Sequence, residues 1–293
     1  MGKDFYDASA AAREVFDAAN DALGLDIKSL CFNGPEDELN RTNISQPAIY
    51  VTSIACFRAA VEAKLIDPAA VTSYAGLSLG EYTALHLAGA FGFIDGLKLV
   101  AARGKYMQEA AVASPSGMVA ILGADEATVN RLCGEAAAGE VMVPANYNCP
   151  GQIVVSGTLP ACERIVKLCE AAGLKAISLK VAGAFHSALM QPAADRMAAE
   201  LAAVKLVVPT TPVFANVNAK PHDDVASIRR LLGEQIVSPV RWEQTMQSVL
   251  AQGESRIVEL APGRALTGFL KKINRRLPVE SLATAEALRG PMA

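Results

Sequence analysis

Residues 74–82, "YAGLSLGEY", place Ser78 between two glycines where a predicted strand gives way to a predicted helix. The preceding "VTSYA" (71–75) is rich in β-branched and aromatic residues, and "EYTALHLAGA" (81–90) has helical spacing. In Gly76-Leu77-Ser78-Leu79-Gly80 the glycines allow a sharp strand-to-helix turn that exposes the serine hydroxyl and aims the following amide at whatever the serine attacks. The five-residue pattern alone is a weak signal. Its strand and helix context predicts a nucleophile rather than a tight structural turn.

A serine nucleophile needs a base, and the chain has three histidines. His86 lies eight residues further along the same helix, about 12 Å away at 1.5 Å per residue, and reads as a helix-face residue. His222, in "KPHDD", reads as part of a solvated turn. His186, in "VAGAFHSALM", follows a predicted strand and precedes a helix, where α/β folds place site residues. By elimination it is the expected base.

In "GLKLVAARGKYMQEA" (96–110), Val100, Arg103, Gly104 and Met107 share one helix face. A cation on an apolar face needs a partner. Two readings stand side by side: an internal salt bridge or snorkelling side chain, and a planar fork that grips a substrate carboxylate through two hydrogen bonds.

Composition narrows the class. The 293 residues are 52% hydrophobic and 19% charged, with a net charge of −3. No apolar stretch is long enough to span a membrane, and no global basic footprint for nucleic acid is present, so any basic docking patch must be local. The first residues lack the basic and apolar regions of a signal peptide. The six cysteines (Cys31, Cys56, Cys133, Cys149, Cys162, Cys169) form no C-x-x-C pair and read as reduced, mostly buried thiols of a cytoplasmic protein.

Helical spacing marks residues 8–23, 47–64, 80–90, 95–111, 187–203 and 226–252, and "VTSYA", "AISLKVA" (176–182) and "RIVEL" (256–260) read as strands. The alternation predicts a wound α/β fold. Between residues 114 and 182 shorter units run strand, helix, strand, strand, helix, strand, the βαββαβ pattern of a ferredoxin-like subdomain. The expected division is a large α/β domain of residues 1–113 and 183–293, built on a central parallel sheet, with the small subdomain of residues 114–182 inserted.

Taken together, these segments resemble the malonyl-coenzyme A:acyl carrier protein transacylases, and more broadly the acyltransferase domains of fatty acid and polyketide synthases. The resemblance rests on "GLSLGEY", "RGKYMQEA", "NYNCPGQIVVSG", "AFHS", "EQIVSPVRW" and "LAPGRALTGFL", in that order along nearly the whole chain. It implies a serine-hydrolase-like α/β domain carrying a ferredoxin-like subdomain. It further implies Ser78 as nucleophile, His186 as general base and then acid, and Gln235 as the residue whose backbone carbonyl orients the histidine. Arg103 would bind the malonyl carboxylate, the Leu79 amide would be an oxyanion donor, and Met107 and Asn148 would contact substrate. The implied reaction is ping-pong transfer of malonyl from malonyl-coenzyme A to the phosphopantetheine thiol of acyl carrier protein, with no cofactor and no metal, by an enzyme expected to be a monomer. Acyl carrier proteins are acidic, and "FLKKINRR" (269–276) with Arg264 is the densest basic segment.

Two departures stand out. Leu77 occupies the place where the family usually has histidine. The strand and G-Q-G-x-Q loop with which the family begins are not in the sequence, and "MGKDFYD" resembles the family's segment just C-terminal to that loop, so Met1 is expected to be an internal methionine. Two other readings are an esterase of the α/β-hydrolase type and a poorly active remnant that binds acyl-coenzyme A or carrier protein. The esterase order of Ser, then Asp or Glu, then a histidine close to the C-terminus does not fit His186, which more than a hundred residues follow.

Overall fold

The computed structural model describes residues 1–254 and 256–289. Helices α1 (Lys3–Ala8), α2 (Ala10–Leu23), α3 (Ile27–Asn33) and α4 (Glu36–Leu39) precede the long α5 (Thr42–Glu62). The helix expected over 8–23 breaks at Ser9, whose hydroxyl caps α2 by accepting from the Ala12 amide at 3.1 Å. Helix α5 begins earlier than its spacing predicts and carries Pro47 inside it. Ala48, Tyr50, Val51, Ile54, Ala55 and Cys56 are all fully buried, so α5 is apolar on every side and forms the centre of the main core. Around it lie α2, α6 (Gly80–Leu87), α7 (Phe93–Ala113) and α10 (Gln191–Ala203).

Between α7 and α10 the chain forms β1 (Ser116–Leu122), α8 (Glu126–Ala137), β2 (Met142–Cys149), β3 (Gln152–Thr158), α9 (Leu159–Ala171) and β4 (Lys175–Ser178). The strands form a sheet in the order β2-β3-β1-β4, with every neighbouring pair antiparallel. Side-chain alternation splits its two faces. Val119, Ile121, Ile153 and Val155 pack with Val129, Leu132 and Cys133 of α8 and with Ile165 of α9. Met118, Ala120, Ala145 and Val154 face the other way and meet Phe185, the neighbour of His186. The sheet therefore backs directly onto the candidate site.

After α10 come α11 (Val225–Gln235), α12 (Trp242–Ala251), β5 (Ile257–Leu260), α13 (Ala265–Ile273) and β6 (Val279–Leu282). A single helix expected over 226–252 is in fact two. Pro239 lacks a donor and disfavours helical backbone at Ser238, so the chain leaves the helix after Gln235. The released segment pairs with β2: Val240 donates to the Ala145 carbonyl at 2.8 Å and Tyr147 donates to the Val240 carbonyl at 2.9 Å.

The molecule is a mixed α/β protein, but the broad parallel sheet expected at its centre is much reduced. Among the described residues, parallel pairing beyond the small sheet's own strands consists of β5 with β6 and bridges from Tyr74 to Val213 and from Asn146 to Val240. In "VTSYA" only Tyr74 joins a ladder. The hydroxyls of Thr72 and Ser73 turn instead to Glu254, at 2.7 and 3.5 Å, because β-propensity needs a neighbouring strand to act on. No helix among the described residues is long and apolar enough to cross a membrane.

Candidate active site

The turn before α6 is built around Gly76. A Cβ there would fall 2.0 Å from the Gly80 carbonyl carbon and 2.1 Å from its oxygen, so only hydrogen fits. Gly80 itself has open space at the same position. The strained residue is Ser78, at φ +51°, a left-handed conformation that costs a non-glycine residue about 1–2 kcal/mol. Two buried side chains hold it there. Asn216 Oδ1 accepts from the Ser78 amide at 2.5 Å, and Gln235 Nε2 donates to the Ser78 carbonyl at 3.0 Å. The Leu79 amide, next in the chain and at the start of α6, has no acceptor among the described residues. It is free to donate to a developing oxyanion.

Ser78 Oγ lies 2.9 Å from Nε2 of His186, which also has a left-handed backbone, at φ +60°. Its other ring nitrogen, Nδ1, is 2.8 Å from the Gln235 carbonyl oxygen. A carbonyl only accepts, so Nδ1 carries the proton and Nε2 offers its lone pair to the serine. That carbonyl is available because α11 ends there; the last carbonyls of a helix have no partner within it. Burial, with the Arg103 cation as the second cause, pulls the imidazole down to about 4, against the opposing main-chain hydrogen bonds at Gln235 and Ser238. A base with that affinity is neutral throughout the ordinary working range. The acid limb of kcat/KM, which reports the free enzyme, is therefore expected near pH 4 rather than near 6.5, with no loss assignable to His186 between pH 7 and about 5. A limb near 6.5 in the pH–rate profile would show that the imidazole is not held this way.

Arg103, on α7, is only 1% exposed, and no carboxylate pairs with it among the described residues. Nη1 donates to Gln46 Oε1 at 2.6 Å, while Nη2 donates to Ser78 Oγ and to Gln235 Oε1, both at 2.9 Å. The Tyr82 ring lies 5.6 Å from the guanidinium carbon. Burial works against the charge, and the proximity of Tyr82 and Glu81 partly offsets it. The internal salt bridge is thus not the arrangement found. A guanidinium buried on neutral acceptors beside a serine hydroxyl is instead poised to exchange those acceptors for an incoming carboxylate.

Comparison with known proteins gives the family. The acyl transferase domain family matches residues 1–288. The chain belongs to this family. The malonyl CoA-acyl carrier protein transacylase of Salmonella typhimurium is 43% identical over 281 residues, which cover 96% of this chain and 88% of that one. The Bacillus subtilis protein of the same name is 39% identical, covering 98% and 90%. Among solved structures, the Coxiella burnetii transacylase has a TM-score of 0.94 at 36% identity, covering 99% of this chain and 91% of that one. A second, with a TM-score of 0.93 at 39% identity and coverage of 99% and 93%, is a malonyl-transacylase in complex with a type II PKS acyl-carrier protein.

In this acyl transferase Ser78, Leu79, Arg103, His186 and Gln235 come together, and Met107 joins them through its sulfur, 3.5 Å from Gln46 Nε2. Asn148 is buried on β2 and makes no hydrogen bond to them among the described residues. Three polar residues of the site, Gln46, Glu81 and Asn216, carried no expectation from the sequence. Glu81 and Asn216 are fully buried. His222 corrects an expectation: it is not solvated but buried, and its Nε2 is 2.9 Å from Glu81 Oε1. The chain reverses just before it, over residues 216–220, and His222 lies on the returning stretch with its amide donating to the Val213 carbonyl at 2.9 Å, so turn-forming neighbours say nothing of where the ring packs. His86 does behave as expected, with Nδ1 3.0 Å from the Phe91 carbonyl just past its own helix. A glutamine, a glutamate and an asparagine among apolar neighbours were the available clues. Among the described residues no group of His, Cys, Asp or Glu is arranged to hold a metal.

Proposed function

We propose that the chain transfers a malonyl group from malonyl-coenzyme A to the phosphopantetheine thiol of an acyl carrier protein, by way of a malonyl-serine intermediate. The observation that carries this reading is Arg103, buried without an acidic partner and 2.9 Å from the Ser78 hydroxyl. An uncharged acyl group would give such a cation nothing, whereas a malonyl carboxylate would give it the partner it lacks.

The steps rest on the geometry of the pair. His186 Nε2 takes the proton as Ser78 Oγ attacks the thioester carbonyl, and the oxyanion forms against the Leu79 amide. The carbon–sulfur bond breaks, and coenzyme A leaves as a thiol with the proton from His186. The carrier thiol then gives its proton to His186 and attacks the malonyl ester, and Ser78 recovers the proton as the ester bond breaks. The Gln235 carbonyl keeps the imidazole in one tautomer through both halves.

The fold supports a division into a large domain, residues 1–113 and 183–293, related to serine hydrolases, and a ferredoxin-like subdomain of residues 114–182. The strand order β2-β3-β1-β4 with two helices on one face favours the second assignment. Lys271, Lys272, Arg275 and Arg276, all exposed with Arg264 at and beyond α13, form the proposed dock for an acidic carrier protein, and a monomeric cytoplasmic enzyme is the simplest reading.

Exchange of labelled malonyl between coenzyme A and holo acyl carrier protein tests the reading, and activity on p-nitrophenyl esters without thiol exchange would replace it with an esterase. In the same assay, reversing the four charges near α13 is expected to raise KM for carrier protein and leave KM for malonyl-coenzyme A unchanged. An unaltered KM for both would place the dock elsewhere.

A further inference from the structure

Glu81 lies in the first turn of α6, three residues beyond the serine, and its carboxylate is wholly enclosed. Oε2 accepts from the Asn216 amide at 2.9 Å and from Gln235 Nε2 at 2.7 Å; Oε1 accepts from His222 Nε2 at 2.9 Å. The reaction described above uses none of these contacts. Yet one of them determines what Arg103 meets.

A carboxylate only accepts, so the Gln235 amide must turn its nitrogen toward Glu81. Its oxygen then faces Arg103 Nη2, at 2.9 Å. Turned the other way, the amide would set an NH2 group against a guanidinium and leave Glu81 facing an oxygen. The direction of this buried amide is thus fixed by the charge behind it together with the Ser78 carbonyl, which accepts from the same nitrogen at 3.0 Å. The arrangement also sets a negative charge one amide away from the buried cation. A carboxylate placed directly on Arg103 would compensate it more strongly but would occupy the place of a substrate carboxylate.

We propose that Glu81 is a positioning residue for acyl selection: through the Gln235 amide it orients and compensates Arg103 while leaving the guanidinium free to take a carboxylated acyl group. The proposal rests on Arg103 being the carboxylate-binding group. His222 and the Asn216 amide hold the carboxylate in the orientation this requires.

The test is the ratio of kcat/KM for malonyl-coenzyme A to that for acetyl-coenzyme A. E81Q keeps the size of the side chain but removes the charge and the carboxylate's part in orienting the Gln235 amide, leaving the Ser78 carbonyl's part in place. It is expected to lower the ratio by about tenfold, the worth of a weakened charge-assisted hydrogen bond, mainly through malonyl transfer. In an R103A background E81Q should leave the ratio unchanged. Equal losses for both acyl groups, or the same change in ratio with Arg103 absent, would overturn the proposal. R103A alone separates the two layers: if it lowers both acyl groups alike, the carboxylate reading of Arg103 falls, and this proposal with it. If it is selective and E81Q is not, only the role of Glu81 falls. Should E81Q fail to fold, Q235M decides. Methionine is close to glutamine in size and keeps the main-chain carbonyl on His186 but loses the side-chain bond to the Ser78 carbonyl, so a loss of malonyl beyond that of acetyl transfer supports the bridging amide, and an unchanged ratio, with or without an equal loss for both acyl groups, overturns it.

Discussion

Replacing Ser78 by alanine is expected to remove malonyl transfer by about 10⁴-fold or more and to abolish any covalent malonyl adduct on the intact protein. The hydroxyl is the attacking atom in the first half of the proposed reaction and the leaving group in the second, and no neighbouring residue can replace it in both. His186 Nε2, 2.9 Å away, would keep its lone pair but have no hydroxyl proton to take. Folding should survive, because the Ser78 amide and carbonyl bonds to Asn216 and Gln235 are main-chain contacts that alanine retains. Mass spectrometry of S78A after incubation with malonyl-coenzyme A is the direct check. A persisting adduct would assign the nucleophile to another residue.

The second large effect is expected at Arg103, where alanine should lower malonyl transfer by roughly 30- to 100-fold while sparing or improving acetyl transfer. Two contacts argue for this asymmetry. A charge-assisted pair with the carboxylate is available to malonyl and not to acetyl. Nη2 also donates to Ser78 Oγ, drawing on the lone pairs with which the serine must attack. A malonyl carboxylate that engages the guanidinium relieves that hold, whereas an acetyl group leaves it in place. Because the Arg103 cation is one cause of the low proton affinity of His186, the acid limb of R103A should also move upward from about 4. Parallel losses for both acyl groups would make Arg103 a structural residue.

The Ser78–His186 pair was legible because its signals are local. Ser78 sits in a turn whose neighbours declare a strand and a helix, and elimination among three histidines leaves His186. Gln235 was accessible only through resemblance to a family, since it holds the histidine by a carbonyl that every residue has. Glu81, Asn216 and His222 escaped for a different reason. Their contacts span long separations, with Glu81 reaching His222 across 141 positions, and side-chain type says little about such meetings. The same contrast holds for the fold. In the small sheet, successive strands and helices pack on one another within a short segment, so alternation was enough to order them. In the larger part, strand character at "VTSYA" depended on neighbours that alternation cannot supply, and the end of α11 at Gln235, ahead of Pro239, was hidden by helical spacing on both sides.

That helix end has an evolutionary consequence. Position 235 carries two jobs on two kinds of atom: its main chain holds the base, and its side chain faces the group that reads the acyl chain. Substitution there leaves the carbonyl on His186 in place, but the side chain also donates to the Ser78 carbonyl, so a residue that changes acyl preference at this position disturbs the serine as well unless it keeps an amide nitrogen there. One buried side chain thus ties the group that faces the acyl chain to the turn that presents the hydroxyl, and drift in preference at this position carries a loss in turnover.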